Sequence, residues 1–361
     1  MEGRGELLKR CTKCLLPESY PRITFDSQGV CNYCLAHQKI KYRGQEKLLN
    51  WITAYKNNSG EYECIVAISG GRDSAFAAHY AVKVLNLRAL AYTYDNGFMP
   101  EQTRENVKNT VDILGLDHVM EKNEHMRESV KRVLSAWIRH PSPGMIALLC
   151  TGCLTGFKRG LAKITQNSNI ELVISGAGEP AKSFAAELLS ISDSDYFKRN
   201  VRLAMILGAL KEIVENPYYL NPSCLVAFAK EFFYRFSHQA KDYQYVPLSR
   251  FIGWDEDMIL SVIRKELRWE VPSYCKTSWR SDCKIHLLRQ YLYRETLGFT
   301  KNDELLSRMI RENIITRENA LKRLENENVI PHQFLAAFLD ELGLDFADLD
   351  MALREYNAKA K

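Results

Sequence analysis

The stretch Cys64-Ile65-Val66-Ala67-Ile68-Ser69-Gly70-Gly71-Arg72-Asp73-Ser74 sets the tightest limit on what this chain can become. It opens as a short apolar run, the pattern of a strand buried on both faces of a parallel sheet. It breaks at Ser-Gly-Gly and leads into Ala75-Phe76-Ala77-Ala78-His79-Tyr80-Ala81-Val82, which reads as a helix. Strand, glycine turn and helix N-terminus together make an anion site. The glycines let backbone N–H groups approach a phosphate, and the first-turn amides add partial positive charge. Ser69 and Ser74 add hydroxyl donors. The site is not a Walker A loop, since no Gly-x4-Gly-Lys-Ser/Thr occurs in the chain, and the turn lacks the Gly-x-Gly-x-x-Gly of dinucleotide folds.

Ser-Gly-Gly-x-Asp-Ser resembles the PP-loop of the ATP pyrophosphatases. The resemblance implies an α/β fold with a doubly wound parallel sheet of the adenine nucleotide alpha-hydrolase type. It also implies cleavage of ATP between its α- and β-phosphates, with AMP placed on a carbonyl, carboxyl or amide oxygen. A nucleophile, ammonia or a sulfur species, then displaces AMP. On this reading Ser69, Gly70, Gly71, Asp73 and Ser74 hold the phosphates and Mg2+, which neutralises charge as it develops. Leu87 to Gly97 is a second apolar run ending in a turn, so Tyr94 and Asp95 are placed to meet the adenosine. Glu171 to Ser175 is another strand, and Gly176 follows it as a further nucleotide-binding candidate.

With 361 residues, 46% of them hydrophobic, the chain can build about two domains with a sizeable core. A net charge of +5 tolerates nucleic acid without arguing for it, and no long basic stretch is present. The N-terminus lacks the pattern of a secretion signal and no apolar run approaches about twenty residues, so a cytoplasmic protein is expected, with no membrane partner.

The ten cysteines suggest metal rather than disulfides. Cys11-x2-Cys14 and Cys31-x2-Cys34 are two tight turns, each directing two thiolates at one ion, and together they close a tetrahedral site of the kind zinc prefers. Four thiolates leave no open position, so residues 1–40 read as a structural zinc ribbon that folds on binding metal. His37 reads as a solvated helix residue beside it. Cys150-x2-Cys153 stands just before a helix and suits metal, redox or sulfur chemistry. Residues 41–190 then form the ATPase domain, 191–245 an apolar and aromatic helical insertion, 246–298 a return to the domain with a cysteine-rich loop, and 299–361 a helical tail suited to packing or homodimerisation. In the loop, Cys275 and Cys283 are possible partners for Cys150 and Cys153, and Lys276, Arg280 and Asp282 can meet phosphate or substrate.

Two resemblances divide the chain. Cys11-Thr12-Lys13-Cys14-Leu15-Leu16-Pro17, Pro21 to Asp26 and Gly29-Val30-Cys31 look like the start of the N-acetyl sugar amidotransferases, and Ser307 to Ile310 with Ile315 to Leu321 resembles their C-terminus. That implies conversion of an acetamido to an acetamidino group, with ammonia from a glutaminase partner. Cys150-x2-Cys153, Lys158-Arg159 and Pro247-Leu248 look like the PP-loop tRNA thiolation enzymes, where a Cys-x2-Cys and one distant cysteine hold a [4Fe-4S] cluster with one iron open to sulfide. That implies Cys150, Cys153 and Cys275 as ligands, with Cys283 as the alternative third. The run Gly176-Ala177-Gly178-Glu179 departs from the thiolation family's Gly-His-Asn-x-Asp-Asp. A small-molecule or nucleoside acceptor is therefore favoured over tRNA, with a separate sulfur donor as the partner.

Overall fold

In a computed structural model, residues 8–57, 60–123, 125–176, 210–222, 224 and 243–359 are described. Most of the expected helical insertion, and residues 177–190 of the expected ATPase domain, lie outside them. Five strands, β1 (Cys64–Ala67), β2 (Ala89–Asp95), β3 (Asp117–Lys122), β4 (Leu172–Ser175) and β5 (Gln244–Pro247), form one sheet in the order β3-β2-β1-β4-β5. Every pairing is parallel. β1 and β4 are buried along their whole length, as expected of central strands with helices on both faces.

Helices α1 (Gln45–Tyr55), α2 (Arg72–His79), α3 (Glu101–Leu114), α4 (His125–Arg139) and α5 (Thr151–Ser168) alternate with the strands. α3 ends where Gly115 takes a left-handed φ of 64°, the conformation that glycine adopts without a side-chain penalty. α6 (Glu256–Leu267) is capped by Asp255, whose side chain accepts from Met258 N–H. The chain order reverses between β1 and β4, the switch point where open α/β sheets bind ligands beyond their strand ends. The PP-loop follows β1 and Gly176 follows β4, so both stand at that crevice.

α7 (Lys284–Leu297) follows the cysteine-rich loop, and residues 299–361 contain α8 (Lys301–Arg311), α9 (Arg317–Glu327), α10 (His332–Glu341) and α11 (Phe346–Lys359). The tail packs on the N-terminal ribbon. Leu15 shares a core with Leu306, Ala320 and Leu324, Arg10 pairs with Asp303 at 2.6 Å, and Arg317 donates to the carbonyls of Cys11 and Cys14. His37 lies outside any helix, contrary to the sequence reading, and pairs with Glu312, the residue that caps the C-terminus of α8, at 2.7 Å. Among the described residues no helix is long and apolar enough to cross a membrane.

Candidate functional site

The PP-loop is built from its own small side chains. Ser69 N–H donates to Ser74 Oγ at 3.1 Å, the two hydroxyl oxygens are 3.2 Å apart, and Ser74 Oγ donates back to the Gly71 carbonyl at 2.9 Å. Gly70 has a φ of +79°, and a Cβ there would stand 2.5 Å from the Thr103 carbonyl, so only glycine fits. Its own carbonyl accepts from Trp269 Nε1 at 2.9 Å, which fixes the turn from outside. Asp73 stands in the first turn of α2 and its Oδ1 accepts from Arg72 Nε at 2.8 Å and Trp254 Nε1 at 3.1 Å. Arg72 continues through Glu256 Oε1 at 2.5 Å and Ser278 Oγ at 3.0 Å, and Glu256 Oε2 takes Arg323 of α9 at 2.9 Å. The tail thus reaches the PP-loop through one chain of ion pairs, Arg323–Glu256–Arg72–Asp73, of which Arg72 is buried. The flanking Arg72 and Arg323 hold the Glu256 carboxyl below its ordinary range against the opposing effect of burial.

Gly176 closes the crevice from β4. A Cβ on it would fall onto the Asp73 carbonyl and within 2.8 Å of Ser74 N. Gly176→Ala is expected to push these backbones apart and to lower ATP-dependent pyrophosphate release by at least about a hundredfold. Unchanged release by the variant, measured with folded protein, would remove Gly176 from the site.

Tyr94 and Asp95 are engaged at the end of β2. Asp95 accepts from Gly97 N–H at 2.9 Å and Arg104 at 2.5 Å, and the Tyr94 hydroxyl accepts from Asn123 Nδ2 at 2.7 Å. Asp95 therefore holds the turn that places Asn96. Asn96 Nδ2 donates to Cys153 Sγ at 3.3 Å and to Cys283 Sγ at 3.5 Å, while Arg289 Nη1 donates to Cys150 Sγ at 3.1 Å. The structure thus brings Cys283, not Cys275, to the Cys-x2-Cys pair. The reason is local: Cys283 caps α7, and Lys284 N–H donates to the Phe98 carbonyl, which pins that helix start to the β2 turn. Burial, with the neighbouring Cys150 and Cys153, pushes the Cys283 thiol well up, and burial beside Asp282 pushes Cys275 up to about 12. Asp282 lies against the PP-loop, its carboxylate 3.2 Å from where a Cβ on Gly71 would stand. One dipeptide, Asp282-Cys283, spans from the phosphate loop to the thiols. Sequence reading weighed both residues but not Asn96 or Arg289, whose only signals were a turn position and a helical register.

The N-terminal thiols are a second centre. Cys11, Cys14, Cys31 and Cys34 are the one group of potential ligands, among the described residues, whose ligand atoms all lie within 4.8 Å. Cys11 and Cys34 sulfurs are 3.9 Å apart, Cys14 and Cys31 sulfurs 3.7 Å. A tetrahedron of sulfurs about 2.3 Å from a central zinc has edges of ~3.8 Å, so the donor set fits that ion. Lys13, Cys14 and Cys31 N–H groups donate to Cys11 Sγ, as thiolates require. Cys153 and Cys283 are instead linked through Asn96, which donates to both.

The sequence model of the NAD synthase family matches residues 45–174, which contain β1 to β3, all but the last residue of β4, and the PP-loop. That family is one of PP-loop ATP pyrophosphatases, so the match agrees with the motif. An uncharacterized protein of Methanocaldococcus jannaschii is 24% identical over 178 residues, 46% of this chain, and the match spans 58% of that protein's length. Among solved structures, NMN synthetase from Francisella tularensis aligns with a TM-score of 0.38 at 16% identity, over 78% of this chain and 89% of that one. The U34-tRNA thiolase NcsA from Methanococcus maripaludis, solved with its [4Fe-4S] cluster, aligns with a TM-score of 0.36 at 13% identity, over 88% of each chain. The PP-loop and Gly176 meet at the crevice between β1 and β4, and the Asp282-Cys283 dipeptide leads from there to the thiols.

Proposed function

We propose that this enzyme adenylates a carbonyl or amide oxygen of a small-molecule or nucleoside acceptor and replaces that oxygen with sulfur at the Cys150/Cys153/Cys283 centre. The observation that carries this reading is the Asp282-Cys283 dipeptide, which joins the phosphate loop to the thiols. Gly70, Gly71 and the first amides of α2 orient the phosphates, and Asp73 and Asp282 supply carboxylates for Mg2+. The acceptor oxygen attacks the α-phosphorus, the bond to the bridging oxygen breaks, and pyrophosphate leaves. Sulfide then adds to the adenylated carbon, the C–O bond breaks, and AMP departs with the oxygen. Three thiolates suit a [4Fe-4S] cluster, which when bound supplies an open iron for that sulfur. Asn96 and Arg289 donate N–H groups to the sulfurs and offset the charge of buried thiolates.

A second reading has one specific support. The two segments that resemble the N-acetyl sugar amidotransferases pack on each other: Leu15 N–H donates to Ser307 Oγ, and Arg317 to Cys11 and Cys14 carbonyls. On that reading ammonia is the nucleophile. Anaerobic purification with metal and sulfide analysis separates the two. About four iron atoms and one zinc per chain, with sulfide-dependent turnover, is the expected result. A zinc-only protein stimulated by ammonium would establish the second reading.

A further inference from the structure

Asp73 is held by one of its two oxygens. Its Oδ1 accepts from Arg72 Nε at 2.8 Å and from Trp254 Nε1 at 3.1 Å. The ring of Trp254 is itself set edge-on against Phe76 of α2. Asp73 Oδ2 has no partner among the described residues, and the side chain is 32% exposed. Two donors on one oxygen fix the carboxylate and leave the other as a free hard ligand, which Mg2+ takes. This arrangement depends on where Arg72 is held. Arg72 is 8% exposed and stands directly before Asp73 at the start of α2. A guanidinium free to turn would cover both carboxylate oxygens in the usual fork geometry and compete with a metal ion. Here its Nη1 is tied away, to Glu256 Oε1 at 2.5 Å and Ser278 Oγ at 3.0 Å. Ser278 Oγ also donates to Glu256 Oε1 at 2.9 Å. Glu256 Oε2 accepts from Arg323 Nη1 at 2.9 Å, and Arg323 Nε donates to Glu327 Oε1 at 2.8 Å. Charges of alternating sign thus run Glu327, Arg323, Glu256, Arg72, Asp73. Without Glu256, Arg72 is free to fork onto Asp73. Without Arg323, Glu256 has both oxygens for Arg72 and draws its Nε off Asp73.

We propose that Glu256 and Arg323 are positioning residues for the metal-binding oxygen of Asp73. By dividing Arg72 between two acids they hold Oδ1 and keep Oδ2 open to the Mg2+ that ATP carries. The assignment rests on the reading of Asp73 as a Mg2+ ligand at the PP-loop. It extends that site to α9 of the tail, which supplies Arg323. Both residues act through Arg72 rather than on ATP itself.

The test is calorimetric titration of the full-length protein with ATP, once with excess Mg2+ and once with EDTA, with no acceptor present. The wild type is expected to bind the magnesium complex more tightly than free ATP. Arg323→Gln and Glu256→Gln are expected to lower affinity for the magnesium complex by about tenfold, the scale of a lost outer partner at a metal site, and to leave free ATP within about twofold. Asp73→Asn is expected to give the same split, and Arg323→Lys, which keeps the charge for Glu256, to restore most of the affinity. Equal loss with and without metal would mark a merely structural role and overturn the assignment. Should a glutamine variant fail to fold, Ser278→Ala reads the same split at about threefold, the scale of one neutral hydrogen bond, and no split there overturns the assignment too. If Arg323→Gln binds the magnesium complex as the wild type does while Asp73→Asn does not, the assignment falls and the PP-loop reading stands. If the wild type binds ATP no better with Mg2+, the reading of Asp73 falls and takes the assignment with it.

Discussion

Cys14→Ser is expected to release the N-terminal metal and to destabilise both ends of the chain at once. Cys14 is fully buried, and its sulfur lies 3.7 Å from both Cys31 Sγ and Arg311 Nη1 of α8. A segment of about thirty residues has too little apolar area to fold unaided, so the ion is the main source of its order. The tail in turn leans on that order, through Arg10–Asp303, Leu15–Ser307 and Tyr20–Glu304. Removing one ligand leaves three thiolates buried without their full partner, a loss of roughly 3–5 kcal/mol. For a chain of this size that lowers Tm by roughly 4–7 °C. Zinc content and a thermal melt, followed by limited proteolysis, check it. Early cleavage is expected among residues 8–36 and within α8 and α9. A variant that keeps both its zinc and its Tm would show that the four thiols are not a closed site.

What the sequence made legible was local. The PP-loop needs a strand, two glycines and a helix start in one unbroken stretch, so eleven residues carry the whole signal. The ribbon's four ligands sit in two tight turns, so spacing alone places them. Gly115, Asp255 and Thr316 act at helix ends in the same local way, through bonds to residues no more than four positions away. The third thiol was not legible. Cys275 and Cys283 lie in one loop, and what chooses between them is a main-chain bond from Lys284 to Phe98, far away in sequence. Arg289 reads as an ordinary helix residue until α7 is docked on the short helix Pro143–Leu148, where its Nε meets the Ile146 carbonyl. The strand-end position of Asp95 was legible, but its bonds from Arg104 and Gly97 N–H were not, since they depend on the turn and on α3. The contact between ribbon and tail was equally hidden, although both ends resembled one family.

Cys283→Ser and Cys275→Ser form the sharpest pair of variants for the chemistry. Serine matches cysteine in shape but ligates soft iron poorly, so the substitution probes ligation rather than packing. Cys283 shares Asn96 Nδ2 with Cys153, whereas burial and Asp282 are what act on Cys275. Cys283→Ser is expected to lose the iron and to lower sulfide-dependent product formation by more than about a hundredfold, beyond the effect of losing a supporting contact. Cys275→Ser is expected to stay within about threefold of the wild type, as for a residue outside the reacting group. Pyrophosphate release separates the steps, because Cys283 does not touch the phosphate loop. The Cys283 variant should still consume ATP when the acceptor is present, while Asp73→Asn should not. If Cys275→Ser were the inactive variant, the loop would have to rearrange on loading, and the geometry given for Cys283 would not describe the working enzyme. If neither variant changed turnover while ammonium supported it, the thiols would be structural. The ammonia chemistry suggested by the packed ribbon and tail would then be the reading to keep.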